Sequence, residues 1–431
     1  MEPAALSAPP ADAGPGAPIP AKAASQAASH VWSLLRPLAV RDYRLLWLAQ
    51  VFSELGDWAT RLALMLLVYH RTHSAALSAA VVTASLAPWA GLGQVLTSAV
   101  DHLPRRTVMI GADVVRALIF GLLVMPVPLA VVFLAAFASG MFTAPFEAAR
   151  HAIRVEVTDD DRLGGAISLF LITGQITTMA GFALGGVLVS LVGARPTFAV
   201  NAASFLASAC FLWGMRTRSV GRSGGARQRG YLAAAFRFLT GDPVLRWCAV
   251  LASATAFGGM GVEAVAAAYG RGHPLEVTLL AVAVPVGIVS ASAAVPHAGP
   301  PRRLLRVAGL VPIIGGAVGV AMFAAGSSML VGVLGFAASG VAVCVPAASG
   351  SVVARRMESA FRAPAFSLLN GGSLGAQAAG AAAGGMLAGL FGPRPTCIAA
   401  CAAMALVGLA ASARLPDSSA PAVVPAVHPA P

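Results

Sequence analysis

From about residue 44 to residue 414 the chain alternates long apolar runs with short polar breaks. Twelve runs begin near residues 44, 75, 106, 127, 163, 195, 244, 275, 304, 327, 363 and 395. Each is roughly 20–25 residues long, enough for a helix to cross a bilayer. Pro88, Pro126, Pro285 and Pro312 fall inside runs, as membrane helices allow where neighbours satisfy the freed backbone groups. The pattern predicts an all-α membrane protein with twelve transmembrane helices.

One stretch of this pattern occurs twice. Residues 180–197, AGFALGGVLVSLVGARPT, return as residues 379–396, AGAAAGGMLAGLFGPRPT, at an offset of 199 with 11 of 18 positions identical. Alanine matches mean little in so Ala-rich a chain, but Arg-Pro-Thr in register with two Gly-Gly pairs does not arise from composition. Weaker echoes agree: Tyr69-His70-Arg71-Thr72-His73 faces Tyr269-Gly270-Arg271-Gly272-His273, and Pro104-Arg105-Arg106 faces Pro301-Arg302-Arg303. The chain is therefore expected to be two pseudo-symmetric six-helix bundles, residues 36–215 and 244–414. A cytosolic linker, 216–243, joins them, and disordered tails, 1–35 and 415–431, flank them. Duplicated apolar units of this size point to transport across the membrane.

Composition narrows the environment. The chain is 58% hydrophobic and 11% charged, with a mean hydropathy of +0.79. A soluble surface needs about 25% charged residues, so the outer face must meet lipid. The net charge of +12 would suit nucleic acid, but the arginines sit in the breaks between apolar runs. With the N-terminus inside, cytosolic segments hold 23 Lys and Arg and outer loops hold four, Arg71, Arg195, Arg271 and Arg394. That split puts both termini in the cytosol of a plasma (inner) membrane protein. The start of the chain lacks the basic segment and apolar core of a signal peptide. The five cysteines lie in or beside apolar runs without metal-type spacing, so no metal site is expected.

Three further segments carry a resemblance: Gly56-Asp57-Trp58 in the first span, the loop Asp101-His102-Leu103-Pro104-Arg105-Arg106 followed by Asp113 and Arg116, and Phe142 to Arg150 before the fifth span. With these the chain resembles the major facilitator superfamily, and within it drug and siderophore exporters of the macrolide-efflux and enterobactin-exporter group. The likeness covers residues 36–414. The family loop reads Gly-x-x-x-Asp-Arg-x-Gly-Arg-Arg. Asp101, Arg105 and Arg106 match it, whereas Thr97, His102 and Pro104 depart from it. In the fifth span the family antiporters carry Gly-Pro-x-x-Gly-Gly. Here Gly181, Gly185 and Gly186 match and the proline is Phe182. The resemblance implies that Asp101, Arg105, Arg106, Asp113, Arg116, Glu147 and Arg150 form a cytosolic charge network that stabilises one access state. It also implies that Gln175 and Asn370, in the repeat-related fifth and eleventh spans, line the cavity.

Glu54, Asp57 and Arg61 are the most informative charges, because spacings of three and four put them on one helix face. Charge at that depth costs about 2.5–3.5 kcal/mol per residue on insertion scales, so it must face water or a partner. Asp57 and Arg61 can pair at i, i+4, leaving Glu54 as a spare acid for protons or a cationic substrate; the plainer reading is an internal salt bridge. Glu263, the lone acid of the seventh span, has no basic residue one turn away. Gly181 with Gly185, and Gly380 with Gly384, are spaced for close helix approach, with Gly186 and Gly385 beside them. No phosphate-binding loop or hydrolase motif occurs, so no enzyme, nucleotide or other cofactor is expected. The expectation is a monomeric secondary exporter of a small amphiphilic drug or metabolite, driven by the proton gradient, with the bilayer and substrate as its partners and no nucleic acid. An importer or uncoupled facilitator on the same fold, or a membrane sensor, are the alternatives.

Overall fold

The computed structural model describes residues 35–100, 102–217, 234–294, 301–326, 328–344, 356–357 and 359–414, and the regular elements among them are all helical. The tails and most of the linker inferred above lie outside these residues. In chain order the helices are α1 Arg41–Thr72, α2 Ala75–Leu86, α3 Leu92–Val100, α4 Arg105–Leu123, α5 Leu129–Glu156, α6 Asp160–Val192 and α7 Ala194–Trp213. They continue with α8 at 234–241, α9 Pro243–Glu263, α10 Ala266–Tyr269, α11 Pro274–Ala294, α12 Pro301–Ala325, α13 Met329–Val343, α14 Ser359–Phe391 and α15 Pro393–Arg414.

Local chemistry sets several boundaries. Ser74 caps α2 by accepting from the Leu77 amide, and Asp242 caps α9 by accepting from the Val244 and Leu245 amides ahead of Pro243. The second crossing is not one helix. Ala87–Ala90 form a 3-10 turn carrying Pro88, and α3 continues beyond it. Eight described helices are long and apolar enough to span a bilayer. α1 and α4 add two more crossings, and α2 with α3, and α13, complete twelve. Large apolar side chains cover the outside, with Leu191 and its repeat mate Leu390 both 75% exposed, as a lipid-facing surface requires.

The duplication is structural as well as textual. α6 ends at Gly193 and α14 ends at Gly392, with φ of 87° and 89°, and both are followed at once by the next helix. In each copy the threonine of Arg-Pro-Thr donates its hydroxyl to that glycine carbonyl at 2.9 Å, Thr197 to Gly193 and Thr396 to Gly392. The paired glycines divide their roles in the same way. A Cβ on Gly185 would lie 2.6 Å from Ala59 Cα of α1, and one on Gly384 would lie 2.8 Å from Gly261 Cα of α9. Gly181 and Gly380 press against Trp58 and Phe257 of the same two helices. These four pack within a bundle, and Gly186 and Gly385 face across. Gly186 abuts Thr278 of α11, and Gly385 abuts Ala76 and Ala79 of α2.

These cross-bundle approaches cluster at one end of the molecule. There the His70 imidazole donates from Nε2 to the Gly272 carbonyl at 2.7 Å. Gly272 has φ of 76°, and a Cβ on it would stand 2.9 Å from His70 Nε2. The bundles meet at this end, opposite the end where α1 begins and α15 stops.

Candidate functional site

α1 organises the site. Glu54, Asp57 and Arg61 share a face spanning about 10 Å of its axis. That face looks into the space between bundles, because Arg61 meets Glu263 of α9. The back of α1 is pressed onto α7 through Gly56, where a Cβ would collide with Asn201 and Ser204.

Each of the three charges finds its partner on a different helix. Glu54 accepts from Arg150 of α5 at 2.9 Å and from the Thr177 hydroxyl of α6 at 2.6 Å. Arg150 also donates to Glu147 at 2.6 Å and lies 4.6 Å over the Phe170 ring. Asp57 accepts from Arg116 of α4 at 3.2 Å. Arg116 also donates to Asp113, and its guanidinium sits 4.2 Å from the Phe205 ring and 4.6 Å from the Phe146 ring. Asp113 in turn accepts from the Ser208 hydroxyl at 2.6 Å. Arg116 and Asp113 are fully buried, whereas a third of the Asp57 side chain is exposed.

Arg61 is held differently. Its guanidinium stacks on the Trp58 ring at 4.3 Å, and its nearest carboxylate oxygen, Oε1 of Glu263, is 3.9 Å away. That oxygen is buried and has no hydrogen-bond partner. Trp58 itself packs against Phe182 of α6, ring centres 5.1 Å apart. Arg61–Glu263 is the one ion pair joining the two bundles among the described residues.

Several expectations change. Asp57 does not pair with Arg61, and Glu54 is not a spare acid. Spacing on one helix places the side chains on a common face, yet stacking on Trp58 carries Arg61 toward the other bundle. Glu263 is not without a base, because its partner comes from the repeat-related helix and not from its own turn. Arg116 with Asp113, and Arg150 with Glu147, are the members of the implied charge network that meet the α1 charges. They lie inside the bundle and join Glu54 and Asp57 in one cluster, since α5 continues to Glu156. At the end where α1 begins Arg105 pairs with Glu156, and Arg106 donates to the Trp213 carbonyl and lies over the Trp213 ring. Asp101 lies outside the described residues.

Gln175 is exposed three helical turns from Gly186, on the same face of α6, and Asn370 is exposed on α14. Sequence reasoning missed Thr177, Ser208 and Arg154. The first two carried no signal beyond lying at span depth. Arg154, one turn beyond Arg150, is buried, bonds His151 Nδ1 at 2.8 Å and lies 4.1 Å over Phe170. Its depth would have been legible had α5 been extended to its true end. Outside the membrane, Asp42 joins the start of α1 to the end of α7. It accepts from the Arg216 and Thr217 amides and the Thr217 hydroxyl at 2.5–3.2 Å. Burial pushes its carboxyl up, but those hydrogen bonds and nearby Arg41 outweigh it and hold it below its ordinary 3.8.

Comparison with known proteins agrees with this architecture. The family model of the Major Facilitator Superfamily matches residues 46–300. An uncharacterized MFS-type transporter of Bacillus subtilis (strain 168), YfiS, is 28% identical over 166 residues, which is 38% of this chain and 40% of that protein. The chain thus aligns with less than half the length of this curated relative. Among solved structures, a bacterial homologue of the human lysosomal transporter Spinster, inward-facing and unoccupied, superposes with a TM-score of 0.67 at 16% identity, covering 89% of this chain and 99% of that one. The nucleoside transporter NupG gives 0.68 at 13% identity, covering 86% and 99%. A bacterial homologue of the iron transporter ferroportin, inward-facing, gives 0.65 at 15% identity, covering 87% and 99%. At such identities the likeness concerns the fold.

Proposed function

The chain belongs to the Major Facilitator Superfamily, and from that premise we propose that it is a secondary active transporter exporting a small amphiphilic compound by alternating access with proton antiport. The observation that carries this reading is the set of charges on one face of α1, one of which meets the other bundle. Glu54, Asp57 and Arg61 each engage a different helix, and Arg61–Glu263 bridges the bundles. A proton arriving on Glu263 neutralises that bridge and biases the equilibrium between the two access states. Arg116 and Arg150 each serve two carboxylates and keep α4 and α5 fixed to α1 while the bundles rock.

Orientation follows from charge. The end where α1 begins carries Arg36, Arg41, Arg44, Arg105, Arg106, Arg216 and Arg414, whereas the opposite end carries Arg71, Arg195, Arg271 and Arg394. The positive-inside rule therefore supports both termini inside, and on the export reading the substrate arrives from the cytosol or inner leaflet. The few uncharged polar side chains at span depth suit an amphiphile better than a sugar, which needs many polar contacts. The test is efflux of fluorescent amphiphiles from cells with and without a proton gradient. Gradient-dependent loss of dye only in expressing cells is expected. Equal retention in expressing and empty cells refutes export. Export that persists with Glu54, Asp57 and Glu263 all neutralised refutes the coupling.

A further inference from the structure

The charge balance around α1 is uneven. Glu54, Asp57, Asp113, Glu147 and Glu263 bring five carboxylates against the four guanidiniums of Arg61, Arg116, Arg150 and Arg154, a formal balance of −1. Arg116 and Arg150 are each hydrogen-bonded to two carboxylates, so neither is free to receive an anion. Arg61 differs from these two. It makes no hydrogen bond to a carboxylate, its contact with Glu263 is 3.9 Å, and Glu263 Oε1 stays buried without a hydrogen-bond partner although a guanidinium lies beside it. A guanidinium that chiefly locked two bundles would be drawn to about 2.8 Å by a buried carboxylate. Arg61 instead lies flat on Trp58, which is braced by Phe182. An aromatic face and a carboxylate converging on one cation are the elements of an organic-cation site, and here the chain's own side chain fills it.

Resting on the transport reading above, we propose that Trp58, Phe182 and Glu263 form the recognition site for a monovalent organic cation, and that Arg61 is a tethered stand-in which the substrate displaces. The positive group of the substrate takes the place of the guanidinium between the Trp58 ring and Glu263, and its apolar part extends into the space between the bundles. Arg61 then swings toward Asp57, four residues before it on the same helix face. Loading the site thus exchanges the pair that spans the bundles for one confined to the first bundle, which ties substrate binding to release of the contact between bundles.

The test is binding of tetraphenylphosphonium to the purified full-length protein by calorimetry, with uncharged triphenylphosphine oxide as control. A site filled by its own tether about nine-tenths of the time binds an added ligand about tenfold more weakly than an empty one. Arg61→Ala is therefore expected to tighten cation binding by about tenfold. Glu263→Gln is expected to abolish it, and neither change is expected to alter the response to the neutral control. If Arg61→Ala does not give folded protein, Arg61→Gln serves with the same expected direction. Weaker or unchanged cation binding on loss of Arg61, or wild-type binding by Glu263→Gln, overturns the proposal. Gradient-driven efflux combined with either of those results removes the cation site and leaves the transport reading standing. The expected binding pattern without efflux does the reverse.

Discussion

Arg116 offers the sharpest test of the buried cluster. It is 1% exposed and touches Asp113, Asp57, Phe146 and Phe205. Arg116→Met fills similar space but strands the fully buried Asp113, which keeps only the Ser208 hydroxyl. Removing one partner of a buried pair costs about 3–5 kcal/mol, because the other charge is left uncompensated. Asp57→Asn acts on the same guanidinium from its exposed side, leaves the Asp113 contact in place, and should cost about 1 kcal/mol or less. Adding Asp113→Asn to Arg116→Met removes the stranded charge, so the double variant should regain part of the loss, with a coupling of about 1–3 kcal/mol. The assay is thermal unfolding in detergent followed by tryptophan fluorescence, since Trp47 and Trp58 lie in the same bundle. If that bundle of about 200 residues melts as a unit, Arg116→Met should lower Tm by on the order of 10 °C. Equal shifts for Arg116→Met and Asp57→Asn, or additive losses in the double variant, would show that the cluster is not coupled as its geometry requires.

Two further outcomes are expected. Gly185→Val should lower Tm, because its Cβ meets the α1 backbone at Ala59, whereas Gly186→Val should leave Tm nearly unchanged and expose the end where the bundles meet to an impermeant thiol reagent at a cysteine placed at Ala268; identical behaviour of the two variants would contradict their division of roles. Asp42→Asn should cost about 1 kcal/mol at neutral pH through lost charge-assisted bonds. The folded Asp42 carboxyl titrates below its ordinary 3.8, so its contribution is full above that value and fades as pH falls through the folded one. The gap between variant and wild type in chemical unfolding should therefore narrow on acidification, and a gap that widened would reverse the sign argued here.

Much of the fold was legible because lipid imposes one rule on every crossing. Backbone groups must bond internally and side chains outside must be apolar, so run length and charge breaks mark the helices. The break inside the second crossing at Ala87–Ala90, and the extra length of α1, α6 and α14, were harder to read. Those helices continue past the hydrocarbon into polar sequence whose composition matches that of a loop. α5 likewise runs 28 residues to Glu156, longer than the apolar run that marks it, which hid the depth of Arg154.

The membrane location, the number of crossings, the duplication and the short roster of charges at depth could all be read from the order of residues. Each depends on local composition or on self-similarity, and neither needs a contact to be known. Which charge meets which did not follow from spacing. Glu54 reaches Arg150, Asp57 reaches Arg116 and Arg61 reaches Glu263 across 96, 59 and 202 positions. Helical periodicity gives only the face a side chain occupies. Its partner is chosen by the neighbouring helix that the packing brings alongside, here through glycines small enough to let α1 touch α6 and α7.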